Sequence, residues 1–322
     1  METKIHPSLR TVEWKDNAVV MIDQTRLPNE LVYVKYADYK DVADAIRNLV
    51  VRGAPAIGVS GAFGLALAAL QSKATDKENL IKDLEQAKKI LFETRPTAIN
   101  LAWGLERIMN VARSGKDAQE IRNNTIKTAK MMAEEDIEIN MRMGKHGSQL
   151  FNDNDTIMTH CNAGALATVA YGTALGVIRA TKESGKKIRV IATETRPVMQ
   201  GSRLTAFELK HDGIDVSLIP DTAVGYSMAN GLVSKVIVGA DRILRMGHVY
   251  NKIGTYQVAL MAKQHNIPFY VAAPLSTFDM KSTPKEVVIE QRKASEVTGV
   301  AGKKTAPDDI NVINPAFDMT PP

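Results

Sequence analysis

From Asp155 onward the chain alternates between short β-branched runs and helical stretches, and this alternation constrains the fold more than any other feature. The runs cover residues 156–160, 187–192, 216–219, 235–238 and 269–272, with helical patterns near 164–184, 201–212, 224–232 and 254–266 between them. Strands that alternate with helices pair in parallel, with the helices crossing over both faces of the sheet. The spacing therefore predicts an α/β chain whose C-terminal domain is built on a parallel sheet. A smaller N-terminal domain of strands and helices precedes it. Its strand-like segments are 11–22 and 31–36, followed by helical patterns at 42–51, 59–70, 80–92 and 98–111. A long helix from 118 to about 143, ending at Gly144, connects the two. The boundaries drawn from these patterns are 1–125 for the first domain and 126–322 for the connecting helix with the second.

Composition narrows the function classes. With 44% hydrophobic and 24% charged residues, the 322-residue chain has a globular make-up rather than a disordered or coiled-coil one. Its most apolar stretch, 56–70, contains Gly and Ser and falls short of the roughly 20 residues a membrane span needs, so it is expected to be a buried helix. The opening METKIHPSLR lacks the apolar centre of a signal peptide. One cysteine, Cys161, excludes an intrachain disulfide framework and Cys-based zinc clusters. These features point to a cytoplasmic protein. The net charge of +5 is spread along the chain and aromatics are only 5%. That suits an anionic small molecule better than nucleic acid or a membrane. No G-x-G-x-x-G follows the first strand of the second half, no Walker A loop is present and the histidines show no ligand spacing, so neither a cofactor nor a metal is expected.

In an open parallel sheet, ligands bind beyond the carboxyl ends of the strands. Four such ends carry Cys161, Arg196, Asp221 and Asp241. A thiol, two carboxylates and a guanidinium at one edge are a catalytic inventory. A lone cysteine is more commonly a small buried hydrophobe. Its place before an Asn162-Ala163-Gly164 turn and a helix start favours a thiolate instead. An Asp after a strand also serves as a cap, a reading that stays open for Asp221. His160 is expected to point away from Cys161 by strand alternation. A second group of residues suits an anion. Arg52-Gly53-Ala54-Pro55 opens an apolar helix, Gln200-Gly201-Ser202-Arg203 opens another, and Asn251-Lys252-Ile253-Gly254 a third.

These segments assemble into a known pattern. Arg52 to Gly58, Thr159 to Thr168, Glu194 to Thr205, Val238 to Ile243, Asn251 to Tyr256 and Asn314 to Asp318 together resemble the methylthioribose-1-phosphate isomerase family. The wider superfamily holds ribose-1,5-bisphosphate isomerases and regulatory subunits of an initiation-factor exchange complex. The resemblance implies a homodimeric aldose–ketose isomerase of methionine salvage that converts 5-methylthioribose 1-phosphate to 5-methylthioribulose 1-phosphate without metal or nucleotide, and a fold in which a small N-terminal domain of strands and helices is joined to a Rossmann-like C-terminal domain. By motif match it makes Asp241 the proton donor and Cys161 the second catalytic residue. It places Arg52, Gly53, Ala54, Arg95, Gln200, Asn251 and Lys252 on substrate-binding positions. Two alternatives stand beside it: an isomerase of 5-deoxyribose 1-phosphate or ribose 1,5-bisphosphate, and a non-catalytic subunit that senses a sugar phosphate or nucleotide. The family usually has Thr where Ala163 stands, and usually continues further beyond Asp318 than this chain does.

Overall fold

Five parallel strands form the central sheet of the second half. They are β4 (Thr156–Thr159), β5 (Arg189–Thr193), β6 (Asp215–Ile219), β7 (Lys235–Val238) and β10 (Phe269–Val271), in spatial order β10-β7-β4-β5-β6. The computed structural model describes Leu9–Val300 and Gly302–Pro322. Most of the METKIHPSLR segment therefore lies outside the described residues. Alternation along the strands sorts the two faces. Met158, Ile191, Val236 and Val238 share one buried cluster with Val224, Met228, Val258 and Ala262. Those partners lie on or beside α8 (Val224–Ala229) and α9 (Thr255–Gln264). Ile157, Val190, Ala192 and Ile237 point the other way and are also buried, so both faces are covered.

Chain order reverses within this sheet. From β4 the chain moves outward to β5 and β6, then returns to the opposite side of β4 for β7 and β10. The switch point lies between β4 and β7, where a doubly wound sheet leaves its ligand crevice.

A second sheet was not expected from the sequence. It runs β11 (Phe278–Asp279), β8 (Arg242–Leu244), β9 (Val249–Lys252) and β14 (Phe317–Thr320). A small antiparallel pair, β12 (Gly299–Val300) and β13 (Lys303–Lys304), lies between β11 and β14 in sequence.

The first half begins with an antiparallel sheet of β1 (Val12–Lys15), β2 (Ala18–Ile22) and β3 (Tyr33–Tyr36). Segment 11–22 is thus a hairpin rather than one strand. Asp16 and Asn17 make its two-residue turn at φ 51° and 55°, the left-handed geometry such loops need. Five helices follow: α1 (Tyr39–Arg47), α2 (Ala54–Gln71), α3 (Lys77–Phe92), α4 (Ile99–Ser114) and α5 (Ala118–Gly147). Asp38 and Asp76 cap α1 and α3 by accepting backbone N–H groups. The apolar run is α2, buried along most of its length among α1, α3 and α4 as expected. It is long and apolar enough to cross a membrane, yet 78% of it is buried inside the fold. Its C-terminal carbonyls are met by Arg122, whose guanidinium donates to Ala69, Ser72 and Ala74 at 2.6–3.0 Å. Helix α5 runs through Gly144, which is buried and does not end it.

Two compact units emerge. One runs to Lys145 and also takes Ala163–Val177; the other is His146–Asn162 with Ile178–Pro322. The contacts thus divide the chain near the end of α5, whereas the sequence patterns suggested a boundary at 125/126. The stretch 164–184 is helical only in α6 (Ala174–Glu183). Residues before it form a looped segment, with Gly164 bridged to Gly172 and a single 3₁₀ turn at Ala165–Ala167. Its carbonyls are taken by side chains of the same unit: Thr11 donates to Ala165 and Gln24 to Leu166. Helix formation would break those bonds.

Candidate active site

Cys161 and Asp241 leave the carboxyl ends of β4 and β7. Those strands are neighbours, with Met158 opposite Val236, so their ends stand about 4.8 Å apart. Both residues therefore belong to one sheet edge at the switch point.

Cys161 is half-buried and sits at φ 63°, a left-handed conformation that a non-glycine residue adopts only when its surroundings impose it. Two threonines impose it. The Cys161 N–H donates to Thr195 Oγ1 at 2.9 Å, and Thr205 Oγ1 donates to the Cys161 carbonyl at 2.6 Å. Thr195 is itself at φ 62°, unusual for a β-branched residue. Its N–H and that of Arg196 donate to the two carboxylate oxygens of Asp221, at 2.8 and 2.6 Å. Asp221 is thus occupied in holding the β5 loop. The Arg196 guanidinium turns to the carbonyls of Val297 and Pro197, at 3.2 and 3.5 Å. Cys161 and Asp241 are the other two groups at this edge. The expected helix start after Cys161 is not there, because α6 begins only at Ala174.

His160 shares the face of Met158 and reaches toward the start of α9. Its Nε2 lies 2.9 Å from the Ile253 carbonyl, an acceptor only, so Nε2 carries the proton; Nδ1, 2.6 Å from Thr193 Oγ1, accepts from that hydroxyl. Burial pushes its pKa down and favours this neutral form. His160 therefore braces β4, β5 and the segment after β9 against one another.

That brace brings in Asn251 and Lys252. The Asp241 N–H donates to the Tyr250 carbonyl at 2.9 Å, so Asn251 follows directly on the residue bonded to Asp241. Asn251 is buried and its Nδ2 donates to Thr255 Oγ1 at 2.9 Å. The Lys252 ammonium lies 4.6 Å from the Phe317 ring centroid. Asp318 accepts the N–H groups of Gly254 and Tyr256 at the start of α9; burial pushes its pKa up despite those bonds.

Gln200 joins the same edge through the β5 loop. Its side chain is buried and its Oε1 has no hydrogen-bond partner among the described residues, so it could receive a donor from a ligand. Gly201 comes next and opens a π-helical turn, Gly201–Thr205, that leads into α7 (Ala206–His211). A Cβ at Gly201 would lie 1.7 Å from the Thr193 carbonyl oxygen, so only glycine fits there.

The remaining predicted residues lie in the first unit. Gly53 is the N-cap of α2 at φ 99°, and a Cβ there would meet the Ala167 backbone at 2.4 Å. Ala54 begins the helix, Pro55 follows, and no acidic residue occupies the first turn. With Arg52 just before it, this helix start offers N–H groups and a guanidinium to an anion. Arg95 sits in the turn between α3 and α4, its carbonyl accepting from Ala98.

The threonines that hold Cys161, and the buried residues behind them, were not singled out from the sequence. Thr195 precedes the Arg-Pro pair that drew notice, but nothing local marks a threonine as a backbone clamp.

Residues 50–322 match the initiation factor 2 subunit family. Methylthioribose-1-phosphate isomerase of Geotalea daltonii is 53% identical over 317 residues, 98% of this chain and 92% of that protein. The chain belongs to the methylthioribose-1-phosphate isomerase family, within the initiation factor 2 subunit family. Solved structures agree. 5-Methylthioribose 1-phosphate isomerase from Pyrococcus horikoshii OT3 superposes with a TM-score of 0.91 at 45% identity, covering 100% of this chain and 92% of that one. A structure described as translation initiation factor eIF-2B, subunit delta, from Archaeoglobus fulgidus gives a TM-score of 0.87 at 51% identity, covering 97% and 92%.

Proposed function

We infer that this chain is an aldose–ketose isomerase that converts 5-methylthioribose 1-phosphate to 5-methylthioribulose 1-phosphate in methionine salvage, working as a cytoplasmic homodimer. The observation that carries the assignment is the pairing of Cys161 and Asp241 on adjacent strand ends in a chain so close to named isomerases.

The chemistry suits that pair. A sugar 1-phosphate is locked as a ring, because its anomeric oxygen is esterified, and it cannot open to an aldehyde as free aldoses do. An acid must protonate the ring oxygen as the bond from C1 to that oxygen breaks. Asp241 supplies this proton. Hydrogen then passes from C2 to C1, and the proton of the C2 hydroxyl returns to the Asp241 carboxylate as the ketone forms. In one route Cys161, as thiolate, removes the C2 proton and an enediol is reprotonated at C1; in the other the hydrogen moves as hydride and Cys161 steadies the developing charge. Asn251, Lys252 and Gln200 supply polar contacts to the sugar.

The second reading is a non-catalytic subunit that senses a sugar phosphate or nucleotide, and one similar solved structure is described as an initiation-factor subunit. The presence of both Cys161 and Asp241 favours the enzyme. Turnover of 5-methylthioribose 1-phosphate, 5-deoxyribose 1-phosphate and ribose 1,5-bisphosphate by the purified protein decides among these. Asp241→Asn and Cys161→Ser should each lower kcat by roughly 10²–10⁴-fold, the usual worth of a general acid or base. Near-normal turnover in Asp241→Asn would remove it as the acid. Reaction in deuterium oxide separates the routes, since an enediol reprotonated by a base open to solvent brings label to C1.

A further inference from the structure

Behind Cys161 lies a chain of buried polar groups that the mechanism above does not use. Thr205, whose hydroxyl donates to the Cys161 carbonyl, accepts from Asn162 Nδ2 at 3.1 Å. The same Nδ2 donates to Glu208 Oε1 at 2.9 Å. The other Glu208 oxygen takes Arg179 Nη2 at 2.7 Å, and Arg179 Nε reaches Asp212 Oδ2 at 2.5 Å. The Glu208 side chain is fully buried and that of Arg179 is 7% exposed. Glu208 stands on α7 and Arg179 on α6, while Asn162 immediately follows Cys161.

Placing a carboxylate and a guanidinium in a dry interior is expensive, and well-packed apolar side chains often serve stability as well or better. Stability alone is therefore a weak reason for this pair. What an apolar pair cannot do is orient an amide. Each Glu208 oxygen accepts from a different donor, which holds the Asn162 carboxamide in one orientation. That orientation sets the Thr205 hydroxyl, and the hydroxyl sets the carbonyl of a residue held at positive φ. We propose that Glu208, held by Arg179, is a positioning residue for the catalytic thiol: through Asn162 and Thr205 it fixes the left-handed Cys161 turn and so the direction in which Sγ faces the substrate. This rests on the role given to Cys161 above.

Glu208→Gln tests it with little change of shape. A carboxamide has one accepting oxygen and cannot serve both Asn162 and Arg179. A small misplacement of a reacting group costs up to about 100-fold, so kcat should fall roughly 10- to 100-fold while KM stays within about 3-fold. Cys161 is the chain's sole cysteine, so the rate of alkylation by iodoacetamide across pH reports this thiol alone. The pH midpoint or plateau rate should shift in the variant. A second variant, Glu208→Leu with Arg179→Met and Asp212→Asn, removes all three charges of the cluster and covers the case in which Glu208→Gln does not fold. It should unfold at a temperature near that of the parent and still show the kcat loss and altered alkylation. A folded variant of either kind with parental kcat and alkylation profile overturns the proposal. If Cys161→Ser is inactive in that same experiment, the isomerase site stands and only the role of Glu208 falls. If Cys161→Ser turns over normally, the role of the thiol fails and the positioning role goes with it.

Discussion

At the scale of single residues, the candidate site is defined by backbone conformations that its surroundings enforce. Cys161, Thr195 and Met199 all have φ near 60°. Each such residue costs of order 1–3 kcal/mol and persists only where several bonds over-determine it. Here the Asp221 carboxylate, two threonine hydroxyls and the backbone bond from Met199 to Thr195 do so. Gly201 completes the arrangement by letting the loop press against Thr193. Gly201→Ala places a methyl carbon where the Thr193 carbonyl oxygen stands, and should cost about 3 kcal/mol in urea unfolding, the upper range for overpacking. A loss below about 0.5 kcal/mol, the level of ordinary surface changes, would show that the loop yields freely.

At the scale of elements, α5 is tied to the looped segment of its own unit by one buried acid. Asp136 accepts the Val169 N–H at 2.7 Å, and burial pushes its pKa up to about 7 against the lowering effect of Val169 and Asn140. The folded state therefore holds this proton over a range in which the unfolded chain, near 3.8, has released it. Its contribution to stability is full below pH 4 and is lost as pH rises through 7. The gap of about three pKa units corresponds to about 4 kcal/mol. In Asp136→Asn the amide oxygen still accepts from Val169 but does not titrate. Unfolding free energies at pH 4 and pH 8 should show the variant gaining about 4 kcal/mol on the parent between them; a pH-independent difference would mean that Asp136 ionises normally.

The same segment shows what the sequence could and could not reveal. The five parallel strands were legible because β-branched runs lay between helical patterns, and α2 because its composition suits only a buried helix. Residues 164–173 look helical by composition, but Thr11 and Gln24, distant in sequence, claim their carbonyls. The sheet of β11, β8, β9 and β14 escaped notice because its strands are two to four residues long and partly polar. In the candidate site, Cys161, Asp241 and Gln200 were found as residues at strand ends or helix starts. Thr195, Thr205, Glu208 and Arg179 were not, because their work is done through other side chains and depends on tertiary neighbours.

At the scale of the whole molecule, the chain passes between its units three times. It leaves the first after Lys145, returns at Ala163 and leaves again after Val177. Segment 163–177 has its bonds to Thr11, Gln24 and Asp136 in the first unit. A fragment of residues 146–322 would carry that segment without these partners. It should bind the dye ANS and unfold without a cooperative transition, whereas the intact chain melts cooperatively. Cooperative melting of the fragment alone would show that the second unit does not need the first.

The strand order also has a consequence on the ribosome. Strand β4 is the middle of the sheet and the first of its five strands to be synthesised, and its second neighbour, β7, is complete only at Val238. That is roughly 80 residues later, about 4 to 16 s at common elongation rates. Through that interval one edge of the nascent strand stays unpaired, with Ile157 and Met158 not yet shielded on that side. A growing chain of this topology is most open to capture by holding chaperones before Asp241 has been translated.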